Sequence, residues 1–344
     1  MKTVVVTGGL GFVGVHVINQ LLKNGYHVVA IDICDFFRRE QFINYRDNFE
    51  LIYKNLKDPD LFDRLPKKAD YIIHLAAVPH VDYSYYYENE TIENNFFSLK
   101  NILDYARMSY AKVLFSSSVE VYGGVEDKVY KETDCLHPKS IYGYSKLMCE
   151  ELIKYYIDNY NIDCTILRLT NLYGPAQLPD RIIPRNICRL MDNLSFDLTS
   201  DFYRDFLYVE DAAVAILKML KSGICGEIYN LSSGKSYNMR TIANRVLELF
   251  EGADVLSFDS NKTNNGRGRH LKIDCQKIAS NIDCYTETDL MIGLESTVAW
   301  YKHNWKWCKQ FSRQYRSLRE SSAFIIDSHY IHKRINTSLD QMFK

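Results

Sequence analysis

Little in this sequence is extreme, and each shortage closes off a class of function. The 344 residues carry 42 Lys+Arg against 43 Asp+Glu, a net charge of −1. No large field of one sign exists to draw nucleic acid or anionic lipid. No segment approaches the ~20 consecutive apolar residues of a membrane span. The opening Met1-Lys2-Thr3-Val4-Val5-Val6-Thr7-Gly8 has too short an apolar run for a signal peptide. These features predict a soluble, cytoplasmic protein with no nucleic-acid or membrane partner. The nine cysteines (Cys34, Cys135, Cys149, Cys164, Cys188, Cys225, Cys275, Cys284 and Cys308) contain no Cys-x-x-Cys pair, and their number is odd. They predict reduced structural thiols, with neither a disulfide framework nor a metal site. Internal repeats and low-complexity tracts are lacking too. What is present is 47% hydrophobic residues on a chain long enough for a large core. At ~150 residues per domain, the length predicts two domains or one enlarged α/β domain.

The first half alternates strand-like and helix-like segments. Thr3–Thr7 is a short β-branched run bounded by glycines, as a buried parallel strand should be. Val13–Asn24 carries Val13, Val17 and Leu21 at helical spacing and ends at Gly25. Val28–Ile31, Tyr71–Leu75, Lys112–Ser116 and Thr165–Leu169 read as further strands, and Ile92–Met108 as a long helix. This alternation predicts a Rossmann-type, doubly wound parallel sheet. From about Pro175 onward, short segments separated by polar loops, including Asn261–Gly268, predict a smaller α/β C-terminal lobe interleaved with the end of the sheet. The expected division is 1–175, 176–305 and a C-terminal extension over 306–344. Basic residues dominate Lys302–Arg319, with Trp300, Trp305 and Trp307 nearby, which predicts a solvated amphipathic helix.

Gly8, Gly11 and Gly14 lie between the first strand and the first helix. Glycines there let the backbone approach a pyrophosphate, and the helix N-terminus supplies free N–H groups and a positive dipole end. Asp32, eighteen residues past Gly14, ends the second strand, where a carboxylate binds a ribose 2′-OH and repels a 2′-phosphate. Strand, loop, helix, strand and acid in this order predict NAD rather than NADP. Arg38 and Arg39 are expected to face solvent.

Tyr142 and Lys146 stand four apart before an apolar helical run, on one face of a helix. An ammonium beside a phenol favours the phenolate, so Lys146 is expected to lower the Tyr142 pKa and make it a base toward an alcohol. Upstream, Ser116-Ser117-Ser118-Val119-Glu120 ends a strand on the side where parallel sheets bind ligands.

Together these residues resemble the extended short-chain dehydrogenase/reductase family, the nucleotide-sugar 4-epimerases and 4,6-dehydratases. His74-Leu75-Ala76-Ala77, Asn171-Leu172-Tyr173-Gly174-Pro175, Arg204–Asp211 and Tyr229–Gly234 look like further signatures of it. The match runs from Met1 to about Trp305. The resemblance implies that Gly8, Gly11, Phe12, Val13 and Gly14 carry the pyrophosphate of NAD and that Asp32 holds the adenosine ribose. It places Asn55 and Leu56 beside the adenine, with asparagine where the family has aspartate. Leu75, Ala76, Ala77 and Asn94 line the cofactor. Ser118 and Tyr142 contact the sugar O4, and Lys146 binds the nicotinamide ribose. Asn171, Arg204 and a residue of the Arg267–Arg269 stretch, taken as Arg269, hold the substrate diphosphate. A homodimer through helices near Asn94–Met108 and Lys146–Asn159 is also implied.

The resemblance implies oxidation at C4 first, with Tyr142 taking the hydroxyl proton. An epimerase then returns hydride to the other face, a dehydratase expels the C6 hydroxyl, and a uronic-acid decarboxylase loses carbon dioxide. Dehydratases of the family place Thr-Asp-Glu where this chain has Ser118-Val119-Glu120. Glu120 matches their C5 base, but Val119 cannot replace their acid. Losing a general acid costs ~10²–10⁴-fold in rate, which ranks a 4-epimerase first, the dehydratase second and a UDP-glucuronate decarboxylase third. A non-catalytic NAD sensor would be expected to lack Tyr142, Lys146 or Ser118.

Overall fold

The computed structural model describes residues 1–33, 47–124, 128–196, 198, 203–250, 271–282 and 288–309. Its centre is a sheet of seven parallel strands: β1 (Thr3–Thr7), β2 (His27–Asp32), β3 (Phe49–Tyr53), β4 (Tyr71–His74), β5 (Lys112–Ser118), β7 (Cys164–Leu169) and β10 (Ile228–Leu231). The order across it is β10-β7-β5-β4-β1-β2-β3. The order of strand addition reverses between β1 and β4, and a crevice for ligand opens at such a switch point.

Successive strand residues face opposite ways, so an apolar run supplies two cores at once. Val4, Val6, Val28 and Ala30 face α1 (Phe12–Lys23) and α7 (Val209–Ser222), where Val17, Leu21, Ala212 and Ile216 are fully buried against them. Val5, Val29 and Ile31 face the other way, toward α4 (Glu88–Ser109) and α5 (Ile141–Tyr160), and meet Leu99, Ile102, Cys149 and Ile153. Short helices α2 (Leu61–Arg64) and α3 (Val81–Ser84) follow β3 and β4. The helix expected from Ile92 starts at Glu88. Its first turn carries Glu88 and Glu90, which suit the positive helix end but hide it from an apolar periodicity. Tyr110 and Asn161 close α4 and α5 in the left-handed conformation, at φ 58° and 55°.

The second layer of structure is smaller. The parallel pair β8 (Asn171–Tyr173) and β9 (Tyr203–Tyr208) is extended by antiparallel β11 (Ser236–Asn238), and β6 (Val129–Tyr130) pairs with β12 (Lys272–Ile273). Helices α6 (Ile182–Met191), α8 (Met239–Leu247) and α10 (Leu290–His303) enclose Ile187, Phe196, Met239, Leu294 and Tyr301. The chain then returns to the large sheet through α7 and β10, with α9 (Gln276–Ile282) packed on β10.

The expectation of a solvated helix near Lys302 needs correction over its described part. Trp300, Trp305 and Trp307 pack against the lobe core, and Cys308 is fully buried. The aromatic stripe outweighs the basic face there, because burying such rings removes a large apolar area from water. Residues from 310 onward lie outside the described residues, as do Arg38, Arg39, Asn261–Gly268 and Arg267–Arg269. No helix among the described residues is long and apolar enough to cross a membrane.

Candidate active site

β1 delivers the chain into the glycine loop. Gly11 caps α1 without a side chain, and the first turn holds no acidic residue, so the N–H groups of Phe12 and Val13 face outward with the positive dipole end. Gly8 adopts φ +65°, and a Cβ there would lie 2.8 Å from the Ala76 nitrogen. A Cβ on Gly14 would lie 2.3 Å from the Gly8 carbonyl oxygen. The Asp32 carboxylate at the end of β2 accepts from Leu10 N at 2.9 Å and from Ile33 N at 2.8 Å, which fixes it against the same loop. Leu75, Ala76 and Ala77 continue half-buried from β4, with Ala76 N donating to Thr7 Oγ1 at 3.3 Å. Past β3, Asn55 Oδ1 accepts from Lys57 N at 2.9 Å, and Leu56 is buried. These groups form one continuous edge, and it fits an extended dinucleotide.

Asn94 and its neighbour divide the work. Asn94 Nδ2 donates to Glu90 O at 2.9 Å on its own helix. Asn95 spans outward: its Oδ1 accepts from Val78 N at 2.7 Å and its Nδ2 donates to Ser145 Oγ at 2.8 Å. Asn95 thus ties the loop after β4 to the Tyr-Lys helix, a link that sequence spacing did not reveal.

Ser140 caps α5 by accepting from Gly143 N at 3.1 Å, which fixes the turn carrying Tyr142 and Lys146. Both side chains are buried, and Lys146 Nζ donates to Ser116 O at 2.9 Å. The expectation that Lys146 lowers the Tyr142 pKa is overturned for the side chains by themselves. Burial pushes Tyr142 up to about 12, and the groups that oppose it are the Ser118 hydroxyl and the Arg181 charge. Lys146 itself is pushed down to about 8 by burial. Desolvation penalises the charged form of each group, and it is the largest influence on both.

β5 runs two residues beyond its expected end, so Ser118 is its last residue. A single 3₁₀ turn, Val119–Val121, follows, with Glu120 N donating to Ser118 Oγ at 3.2 Å. The Glu120 carboxylate lies 3.5 Å from Arg204 Nη1, both side chains being nearly buried, and its charge acts on the Tyr142 phenol. Val119 instead joins a buried apolar cluster with Val121, Tyr122, Tyr130, Leu271 and Ile273. Asn171 Nδ2 donates to Asp205 O at 3.3 Å, which sets Asn171 beside the strand that carries Arg204. Asp205 in turn accepts from Ser233 N at 3.1 Å and Ser233 Oγ at 2.8 Å, and also from Ser232 Oγ. Ser118, Glu120, Tyr142, Lys146, Asn171 and Arg204 are therefore grouped at the strand ends; Arg269 is outside the described residues.

Sequence reading missed several charged groups near the dyad. Arg181 donates to Pro79 O at 2.7 Å, and His80 Nε2 lies 2.6 Å from Asp180 Oδ2. Arg168 of β7 forms a buried pair with Glu150 of α5, at 2.7 Å and 3.0 Å. Arg168 left a trace in the sequence as a charged residue inside an apolar strand, and His80 as part of the stretch His80-Val81-Asp82-Tyr83-Ser84, which resembles a dehydratase segment.

Residues 4–232 match the profile of the NAD dependent epimerase/dehydratase family, and the chain belongs to that family. It is an NAD-dependent enzyme of the nucleotide-sugar epimerase/dehydratase class. It is 29% identical to dTDP-D-glucose 4,6-dehydratase of Bos taurus, over 89% of this chain and 91% of that protein. Identity to dTDP-glucose 4,6-dehydratase of an Actinoplanes species is 28%, over 88% and 99%. The crystal structure of dTDP-glucose 4,6-dehydratase DesIV from Streptomyces venezuelae, with NAD bound, superposes at a TM-score of 0.83. It is 27% identical and covers 90% of this chain and all of that one. UDP-glucose 4-epimerase from Thermotoga maritima, with UDP-glucose, gives a TM-score of 0.81 at 25% identity, over 88% and 100%.

Proposed function

We propose that this enzyme is a nucleoside-diphosphate-glucose 4,6-dehydratase with Glu120 as the base at C5. The observation that carries the reading is a carboxylate at the end of β5, beside Arg204 and close enough to Tyr142 to act on its phenol. An epimerase needs no carboxylate there. The similarity to the two dTDP-glucose dehydratases supports the same choice, so the order reached from sequence, epimerase first, is reversed. dTDP-glucose and UDP-glucose are the substrates to test first. One observation keeps the 4-epimerase as the second reading: Val119 offers no acid.

In this reading Gly8, Gly11, Phe12, Val13 and Gly14 hold the NAD pyrophosphate, Asp32 the adenosine ribose, and Asn55 and Leu56 the adenine. Leu75, Ala76, Ala77 and Asn94 line its course, and Lys146 binds the nicotinamide ribose. Held there, NAD would supply the acceptor for the C4 hydride and the donor of the hydride that completes the reaction. Ser118 hydrogen-bonds O4 and Tyr142 removes its proton. Arg204, with Asn171 and Arg269, binds the diphosphate. Arg204 also stands 3.5 Å from the Glu120 carboxylate, which accepts the C5 proton that the new carbonyl at C4 has made acidic. The carboxylic acid then exchanges its proton with solvent and returns one to C5. Residues 1–175 supply the NAD domain, 176–305 the main substrate lobe, and 306–344 an extension.

A homodimer through α4 and α5 belongs to the proposal. These helices pack side by side and leave Phe97, Met108, Met148 and Tyr155 exposed. The described cysteines are all free, which suits a reducing, cytoplasmic setting.

The reading is tested in deuterated water. Wild-type product should carry one deuterium at C5, located by NMR. Glu120→Gln should lose ~10²–10⁴-fold in turnover. A Glu120→Gln variant as active as wild type would remove Glu120 from the chemistry.

A further inference from the structure

We propose that His80, held by Asp180, is the acid that protonates the departing C6 hydroxyl, a role Val119 has no side chain to fill. The inference rests on the dehydratase reading of the same site.

The pair has the form such a role needs. His80 Nε2 lies 2.6 Å from Asp180 Oδ2; the Asp180 side chain is 8% exposed and that of His80 36%. A buried carboxylate thus anchors an imidazole that still reaches solvent, from which it can be recharged. Burial alone would raise the Asp180 pKa, but the charges of His80 and Arg181 hold it below its ordinary value. The anchor is therefore an anion, and it faces the imidazole directly.

The position fits as well. His80 stands on the loop leaving β4, at the ligand edge of the sheet, and caps α3, which packs against the Tyr142 helix. Pro79 O accepts from Arg181 Nη2 at 2.7 Å, and the Arg181 charge acts on the Tyr142 phenol. Tyr85 OH donates to Lys139 O at 2.7 Å, fastening the same loop beside the start of α5. Pro79-His80 and Asp180-Arg181 are thus joined to each other, and through Arg181 they lie near the Tyr142 phenol, while Ser118–Glu120 stands at the end of β5. Arg185 is a further charged neighbour of Asp180, and Arg189 and Asp82 act on Arg185 in turn.

With Nε2 committed to Asp180, Nδ1 carries the transferable proton. Glu120 takes the C5 proton, and the C5–H electron pair becomes the second bond of C5=C6. The C6–O bond breaks, its oxygen takes the Nδ1 proton, and water leaves. His80 is left neutral and regains a proton from solvent, matching the one that Tyr142 removed from the C4 hydroxyl.

The test uses the full-length enzyme with dTDP-glucose and UDP-glucose, and with their 6-chloro-6-deoxy analogues, whose chloride departs without protonation. Wild type is read first. If it returns only isomers of unchanged mass, or turns over neither sugar, the dehydratase reading itself fails and the acid assignment falls with it. If it dehydrates, His80→Gln should lose ~10²–10⁴-fold on the hydroxyl substrate and stay within a few-fold of wild type on the chloro analogue. Equal losses on both would make His80 merely structural, and no loss on either would remove it; both overturn the proposal alone. Asp180→Asn supplies a check that a folding defect would not mimic. It should move the alkaline limb of the pH–rate profile to lower pH for the hydroxyl substrate only, and an unmoved limb counts against the assignment.

Discussion

Lys146 is held where its own charge is costly. Its ordinary pKa of 10.5 falls to about 8 through burial, so the folded chain binds this proton less tightly than the unfolded chain. The penalty falls on the charged form. It is fully present below pH 8 and is relieved as pH rises from there toward 10.5. Lys146→Met should therefore abolish turnover yet stabilise the fold near pH 7 by up to ~3 kcal/mol, with the gain gone near pH 10. Urea unfolding at the two pH values measures this, and a variant less stable at pH 7 would contradict it. Residue identities at this site were legible: Tyr142, Lys146 and Ser118 stand at a spacing and strand end that announce them. Their ionisation was not, because desolvation depends on what the rest of the chain packs around a group. His80 and Asp180 were illegible as a pair, being 100 residues apart with no local pattern to join them.

At the scale of elements, one buried ion pair locks the Tyr142–Lys146 helix to the sheet. Arg168 of β7 donates to both oxygens of Glu150 on α5, and Ser117 of β5 donates to the same carboxylate. Arg168 Nη1 also reaches Tyr122 OH at 2.9 Å. Glu150 lies one turn beyond Lys146, and Ser117 lies between Ser116 and Ser118, so the pair sets the dyad against β5. Removing one partner leaves a buried charge uncompensated, and Glu150→Gln should cost ~3–5 kcal/mol in denaturant unfolding. The double variant Glu150→Leu/Arg168→Met should lose much less; a double variant as unstable as the single would contradict this account. Five strands of the large sheet could be read from sequence because they are short, mostly apolar runs, whereas β3, interrupted by Glu50, and β10, interrupted by Asn230, could not. The small lobe could not be read in the same detail. β8, β11 and β12 span two or three residues each, too few to show a periodicity.

For the whole molecule, the doubly wound order was legible from alternation alone, since right-handed crossovers leave few topologies. Assembly was not, because an apolar residue on α4 or α5 reads the same whether it faces the sheet or a partner. The structure separates the two, leaving Met148 and Tyr155 exposed while Cys149 and Ile153 are buried. Light scattering should give twice the chain mass, and Met148→Glu with Tyr155→Glu should return it to a single chain mass. A monomeric wild type would contradict the dimer. The central claim, dehydration at a site built around Tyr142 and Glu120, is tested most directly by the mass of the product. Purified enzyme is incubated with dTDP-glucose or UDP-glucose and the nucleotide sugar is weighed by mass spectrometry. Loss of one water is the predicted result; a new isomer of unchanged mass would contradict it and restore the epimerase.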